Sequence, residues 1–162
     1  MSNMFKKREN VADIEEGNLL SPKFDNNGLI PVVTTCASTK EILMHGYMNV
    51  EALKLTIETK EAHYWSRSRK EIWHKGKTSG FVQKVKEIRI DDDQDSIWLS
   101  VDIGDGASCH VGYKSCFYRS IPLGKIENGR RNSFQGRCME VVIKIPSLKE
   151  VEFLILRFSR RN

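Results

Sequence analysis

The run Ile97-Trp98-Leu99-Ser100-Val101-Asp102-Ile103 decides the fold class. Ile97, Leu99, Val101 and Ile103 alternate with Trp98, Ser100 and Asp102, the period of a half-buried β-strand. Gly104-Asp105-Gly106 ends it in a turn. Upstream, residues 81–90 read as extended, and His63-Tyr64-Trp65-Ser66 carries aromatic β-propensity. Residues 29–35 are β-branched, with Pro31 marking a strand start or edge, and residues 41–48 form a further apolar segment. One helix is expected between these strands. Asn49 is a good N-cap, Glu51 suits the helix dipole, and Val50, Leu53 and Ile57 fall on one face. Asp25-Asn26-Asn27-Gly28 is a turn signal, residues 76–80 a glycine-bounded loop, and residues 1–23 a polar arm or short helix. Residues 139–145 and 151–158 read as two more strands, separated by Pro146-Ser147. The expectation is an α+β fold: one mostly-β domain with few helices.

A chain of 162 residues is the length of one domain and can bury a real core. With 40% hydrophobic and 29% charged residues, the composition is that of a soluble globular protein. No apolar run approaches the ~18 residues of a membrane helix. The first ten residues carry basic groups with no apolar stretch behind them, so no secretory signal and a cytoplasmic location are expected. The net charge of +5 invites a nucleic-acid partner, but its distribution argues against one. From residue 121 onward there are nine Lys/Arg and four Asp/Glu, so all the excess lies in the last quarter. Neither a membrane nor a nucleic acid is expected as a partner. In a reducing compartment Cys36, Cys109, Cys116 and Cys138 are expected as thiols, and spaced thiols there point to metal or catalysis. Cys36 and Cys138 are tied to nothing by their spacing.

Three features carry chemistry. Asp91-Asp92-Asp93-Gln94-Asp95 places four carboxylates in five residues. This suits a solvated turn, or a hard-cation site for Mg²⁺ or Ca²⁺. If the segment is extended, Asp91, Asp93 and Asp95 share one face and Asp92 points to the other. Next, Cys109 and Cys116 stand seven apart with His110 beside the first. They are free thiols or part of a zinc site, which would need further ligands such as Asp92 or groups from a second chain. Finally, Trp65-Ser66-Arg67-Ser68-Arg69 and Trp73-His74-Lys75-Gly76-Lys77-Thr78-Ser79-Gly80 mix cations, hydroxyls, glycines and aromatics. Such a cluster is a basic surface hairpin or a phosphate and base site.

In order along the chain, these stretches resemble the phosphoribosyl-AMP cyclohydrolase family. The resemblance is carried by Gly28-Leu29-Ile30-Pro31, Tyr47-Met48-Asn49, Glu51-Ala52-Leu53, and His63-Tyr64-Trp65-Ser66-Arg67-Ser68-Arg69. It continues through Trp73-His74-Lys75-Gly76, Thr78-Ser79-Gly80, the aspartate cluster, Ser108-Cys109-His110 and Ser115-Cys116-Phe117-Tyr118-Arg119. It covers residues 25–122, leaving residues 1–24 as an N-terminal arm and 123–162 as a C-terminal extension.

The resemblance implies hydrolytic opening of the N1–C6 bond of the adenine ring in N1-(5-phosphoribosyl)-AMP, in histidine biosynthesis. It implies zinc-activated water, a magnesium requirement and an intertwined homodimer with sites at the interface. Cys109 and Cys116 then correspond to zinc ligands, and Asp91, Asp93 and Asp95 to magnesium ligands. Many members have Cys as the third zinc ligand where this chain has Asp92. Carboxylate oxygen binds zinc but is harder than thiolate, so metal preference would shift. His110 and then His74 are the candidates for moving protons at N1, and His110 is also the alternative ligand. Trp65, Arg67, Arg69, Lys75 and Ser79 are the candidates for substrate. Two other expectations stay open: a nucleotide- or RNA-binding module without catalysis, and a related cyclohydrolase acting on another purine nucleotide.

Overall fold

A computed structural model describes residues 4–121 and residue 123. The strands expected over residues 139–145 and 151–158 lie outside the described residues, as does Cys138. The elements, in order, are α1 (Val11–Glu15), β1 (Ile30–Cys36), β2 (Ile42–Met48), α2 (Val50–Thr59), β3 (His63–Ser66), β4 (Glu71–His74), β5 (Lys84–Ile90) and β6 (Ile97–Asp102). Among the described residues the architecture is α+β and mostly β, with two helices. Among the described residues no helix is long and apolar enough to cross a membrane.

Strands β2, β1, β6 and β5 form one sheet in that order, and β3 pairs with β4 in a second. β1 runs antiparallel to β2 but parallel to β6, with Val32 opposite Ile97, Thr34 opposite Leu99 and Cys36 opposite Val101. This parallel central pair puts the end of β1, the start of β2 and the end of β6 at one end of the strands. The β5–β6 turn lies at the other.

Ile30, Val32, Leu43, Met48, Ile97, Leu99 and Val101 are buried to within a few percent and form the core with Ala52, Leu53 and Tyr64. Ser100 is buried too, so β6 is covered more fully than strict alternation implies. Helix α2 begins where expected: Asn49 accepts a hydrogen bond from the Ala52 amide at 2.8 Å. Of the expected face, Leu53 is buried and Ile57 packs against the core, whereas Val50 is 40% exposed; Ala52 and Thr56 complete the buried side. A polar contact accompanies the burial of Thr56. Thr56 Oγ1 accepts from the His63 amide at 3.0 Å and sits 3.2 Å from the His63 carbonyl, tying α2 to β3. β4 returns antiparallel on β3, so part of the basic cluster forms a hairpin, one of the two readings its composition allows. Lys70, at φ 54, makes the turn that lets residues 71–74 fold back on β3.

Candidate active site

The thiol loop follows β6. Ser108 and Cys109 amides donate to the carbonyls of Lys114 and Tyr113, each at 3.1 Å, so residues 108–114 fold back on themselves. The Cys116 amide donates to Leu43 O at 2.7 Å, and Ser115 Oγ to Ile42 O at 2.6 Å, pinning the return to the start of β2. The fold-back makes Cys116 and Cys109 electrostatic neighbours. Burial first, then the neighbouring Cys109, pushes the Cys116 thiol above its ordinary range, while the Lys75 ammonium opposes this. Lys75 is only 6% exposed, and its Nζ donates to Ser108 O at 2.8 Å and lies 5.1 Å from the Trp73 ring centre. Burial pulls Lys75 below the ordinary lysine value, and the charge of Cys116 and Cys109 resists it.

Behind the loop runs a buried polar chain that the sequence reading missed. Thr34 Oγ1 and Tyr64 Oη are 2.7 Å apart, Tyr64 Oη donates to Gln83 Oε1 at 2.8 Å, and Gln83 Nε2 donates to Ser108 Oγ at 3.1 Å. Gln83 is fully buried between strand-like neighbours. A single polar residue in an extended segment gives no hint of partners so far along the chain.

A cleft of about 490 Å³ opens in front of the loop, lined by Arg69, Trp73, Lys75, Thr78, Ser79, Cys109 and His110, among others. Trp65 and Arg67 lie elsewhere, in a neighbouring cleft of about 280 Å³ that also holds Tyr47. Arg69 and Trp73 line both. The Arg67 guanidinium sits 4.1 Å from the Tyr47 ring centre. Arg69 is held by Glu71 at 3.1 Å and by Ser66 Oγ at 3.2 Å. His110 is exposed at the rim. His74 lines neither cleft. It stacks on His63 with centroids 4.2 Å apart, and its Nε2 lies 2.8 Å from Glu61 Oε2, off the direction of an aligned hydrogen bond.

The aspartate cluster is a turn, not an extended segment, so period-2 alternation does not operate there. The turn does the gathering instead. Asp91 Oδ1 accepts from the Asp95 and Ser96 amides at 2.9 Å each, and Gln94 takes φ 57. Oxygens of Asp91, Asp93 and Asp95 thereby lie within 4.8 Å of one another, a donor set that fits a hard cation. Among the described residues no third His, Cys, Asp or Glu joins Cys109 and Cys116 in such a group.

Asp92 is exposed on the aspartate turn, and the reason for its separation is topological. That turn precedes β6 and the thiol loop follows it, so the six residues of the strand hold them roughly 20 Å apart at ~3.3 Å per residue. Asp92 and the two thiols of the same chain cannot share an ion. The two thiols alone are a soft donor pair that fits zinc but leaves its coordination incomplete.

A model of the family described as "Phosphoribosyl-AMP cyclohydrolase" matches residues 44–118. A curated protein of that name from Rhodopseudomonas palustris (strain TIE-1) is 58% identical over 112 residues, covering 69% of this chain and 74% of its own. One from Caulobacter vibrioides (strain NA1000 / CB15N) is 51% identical over 124 residues, covering 76% of this chain and 89% of its own. One from Brucella canis is 55% identical over 109 residues, covering 67% and 78%. The matched stretch carries the thiol loop, the aspartate turn and the residues of both clefts, and by these similarities the chain belongs to the phosphoribosyl-AMP cyclohydrolase family.

Proposed function

We propose that this chain opens the adenine ring of N1-(5-phosphoribosyl)-AMP by hydrolysis of the N1–C6 bond, in histidine biosynthesis in the cytoplasm. One observation carries the reading: a cleft in which Trp73, Arg69, Lys75 and Ser79 face Cys109 and His110. The aromatic wall suits a purine, and the cations and hydroxyl suit phosphate. The substrate has two phosphates, and Arg69, shared by both clefts, together with Arg67 beyond it, places cations for a second anionic end. Trp65 would wall that smaller cleft. The cysteines of the described residues are free thiols, which fits a reducing compartment.

N1 alkylation already makes C6 electron-poor. Cys109 and Cys116 would hold zinc, which when bound supplies a water acidified toward neutrality. His110, at the cleft rim beside Cys109, is the group to move a proton to the departing N1. His74 is engaged with His63 and Glu61 outside the clefts, which favours His110. Asp91, Asp93 and Asp95 would hold magnesium.

The third zinc ligand would be Asp92 of a second copy, because the chain's own is held at the far end of β6. Two features support a homodimer. An apolar trough of about 460 Å³ on the outer sheet face, lined by Val33, Ile42, Ile90, Ile97 and Trp98, runs from one end of the strands toward the other. Beside the thiol loop, Val111 is 52% and Phe117 56% exposed.

The test is turnover of phosphoribosyl-AMP before and after zinc is stripped, with metal content measured on the same sample. Zinc-dependent ring opening is expected. No turnover in folded, zinc-loaded protein would overturn the substrate assignment.

A further inference from the structure

The segment ahead of β1 delivers a cation of its own into the aspartate turn. Lys23 Nζ lies 3.4 Å from Asp93 Oδ2 and 3.3 Å from Asp95 Oδ2. These are two of the three carboxylates gathered by the turn. The backbone that presents the lysine is fastened to the same turn. The Lys23 amide donates to Gln94 O at 2.7 Å, and the Ser21 amide to Gln94 Oε1 at 2.7 Å. Gln94 is 5% exposed, and its Nε2 donates to the carbonyls of Ile14 and Leu19, each at 3.0 Å. Arg8 adds bonds to Ser21 O at 2.7 Å and Asp93 O at 2.8 Å. One residue, Gln94, therefore both bends the turn that collects the carboxylates and seats the segment that carries the ammonium.

We infer that Lys23 is a built-in competitor for the cation site of Asp91, Asp93 and Asp95, and so sets its divalent affinity. The inference rests on the reading of this turn as a divalent-cation site. An ammonium neutralises one unit of charge and engages two carboxylates, whereas a divalent ion engages all three. Lys23 must give up both contacts, or be repelled, before the ion is fully held. Exposed pairs are weak, so the effect is a graded shift in affinity rather than a block.

The experiment titrates the full-length protein with Mn²⁺, followed by the electron paramagnetic resonance of the free ion, in wild type, Lys23→Met, Lys23→Gln, Lys23→Arg and Asp95→Asn. Lys23→Met and Lys23→Gln are expected to bind about three- to tenfold more tightly, a difference that shrinks as potassium chloride rises. Lys23→Arg is expected to stay close to wild type. If Asp95→Asn weakens binding but neither Lys23→Met nor Lys23→Gln tightens it, the lysine merely staples the arm and the inference is wrong. If Asp95→Asn also leaves Mn²⁺ binding unchanged, the turn is not the cation site, and the metal reading falls together with the inference.

Discussion

His63 shows how much one residue's surroundings decide. It is 8% exposed, its Nδ1 lies 2.8 Å from Glu61 O, and the His74 ring stacks on it. Burial first, and then the charge of His74 and Lys77, holds its pKa below 6.5, against the pull of Glu61. The folded chain therefore binds fewer protons than the unfolded chain between that lowered value and 6.5. Stability is expected to be complete above pH 6.5 and to fall as pH drops through the folded pKa. His63→Gln should flatten that limb in urea midpoints measured across the range. An unchanged slope would mean that folding does not lower the His63 pKa. At this scale the sequence showed the chemistry-bearing types: Cys109, Cys116, His110 and the aspartates stand out by type and spacing. It did not show Gln83, Gln94 or Lys23. Their roles come from partners up to 80 residues away, as from Gln94 to Ile14, and no local pattern encodes such a partner.

The elements themselves were largely legible, because β1, β2, α2, β3 and β6 carry the periodicity or capping that produces them. Polar contacts modify them. Thr56 adds a polar anchor between α2 and β3, and Gln94 makes a turn, not an extended strand, of the segment whose three aspartates alternation also puts on one face. β2 also carries a constraint invisible to periodicity. A Cβ on Gly46 would meet Tyr64 Cδ1 at 2.8 Å. Tyr64 is 1% exposed and hydrogen-bonded at its hydroxyl, so the ring cannot step aside. Gly46→Ala is expected to cost about 1–3 kcal/mol, as overpacking does, and to lower the urea midpoint without changing the slope. It should also loosen the strand start that pins Cys116. Full stability would show that β2 can shift away from β3.

For the whole molecule, the decisive fact is that β6 separates the aspartate turn from the thiol loop. If active sites form between two copies, inactive Cys109→Ser and Asp93→Asn proteins should complement each other. Each mixed dimer would hold one intact site and one with both lesions. Subunit exchange should therefore restore on the order of a quarter of wild-type activity for random pairing. No recovery, with dimers demonstrably mixed, would place the whole site in one chain. This separation could not be read from the sequence, where Asp92 and Cys109 look close, because the direction of a strand between two motifs is invisible until the sheet order is known. The parallel pairing of β1 with β6 reaches further than the site. Thr35 and Leu99 meet across 64 residues of chain. The hairpins β1–β2 and β3–β4 can close locally, but the middle of the sheet must wait for that long loop. Loop-closure entropy makes such pairing a slow event on the folding pathway. Until it happens the inner edge of β1 is open and offers its backbone to any other strand. The chain is thus most exposed to mispairing during synthesis, after β1 has emerged and before β6 has left the ribosome.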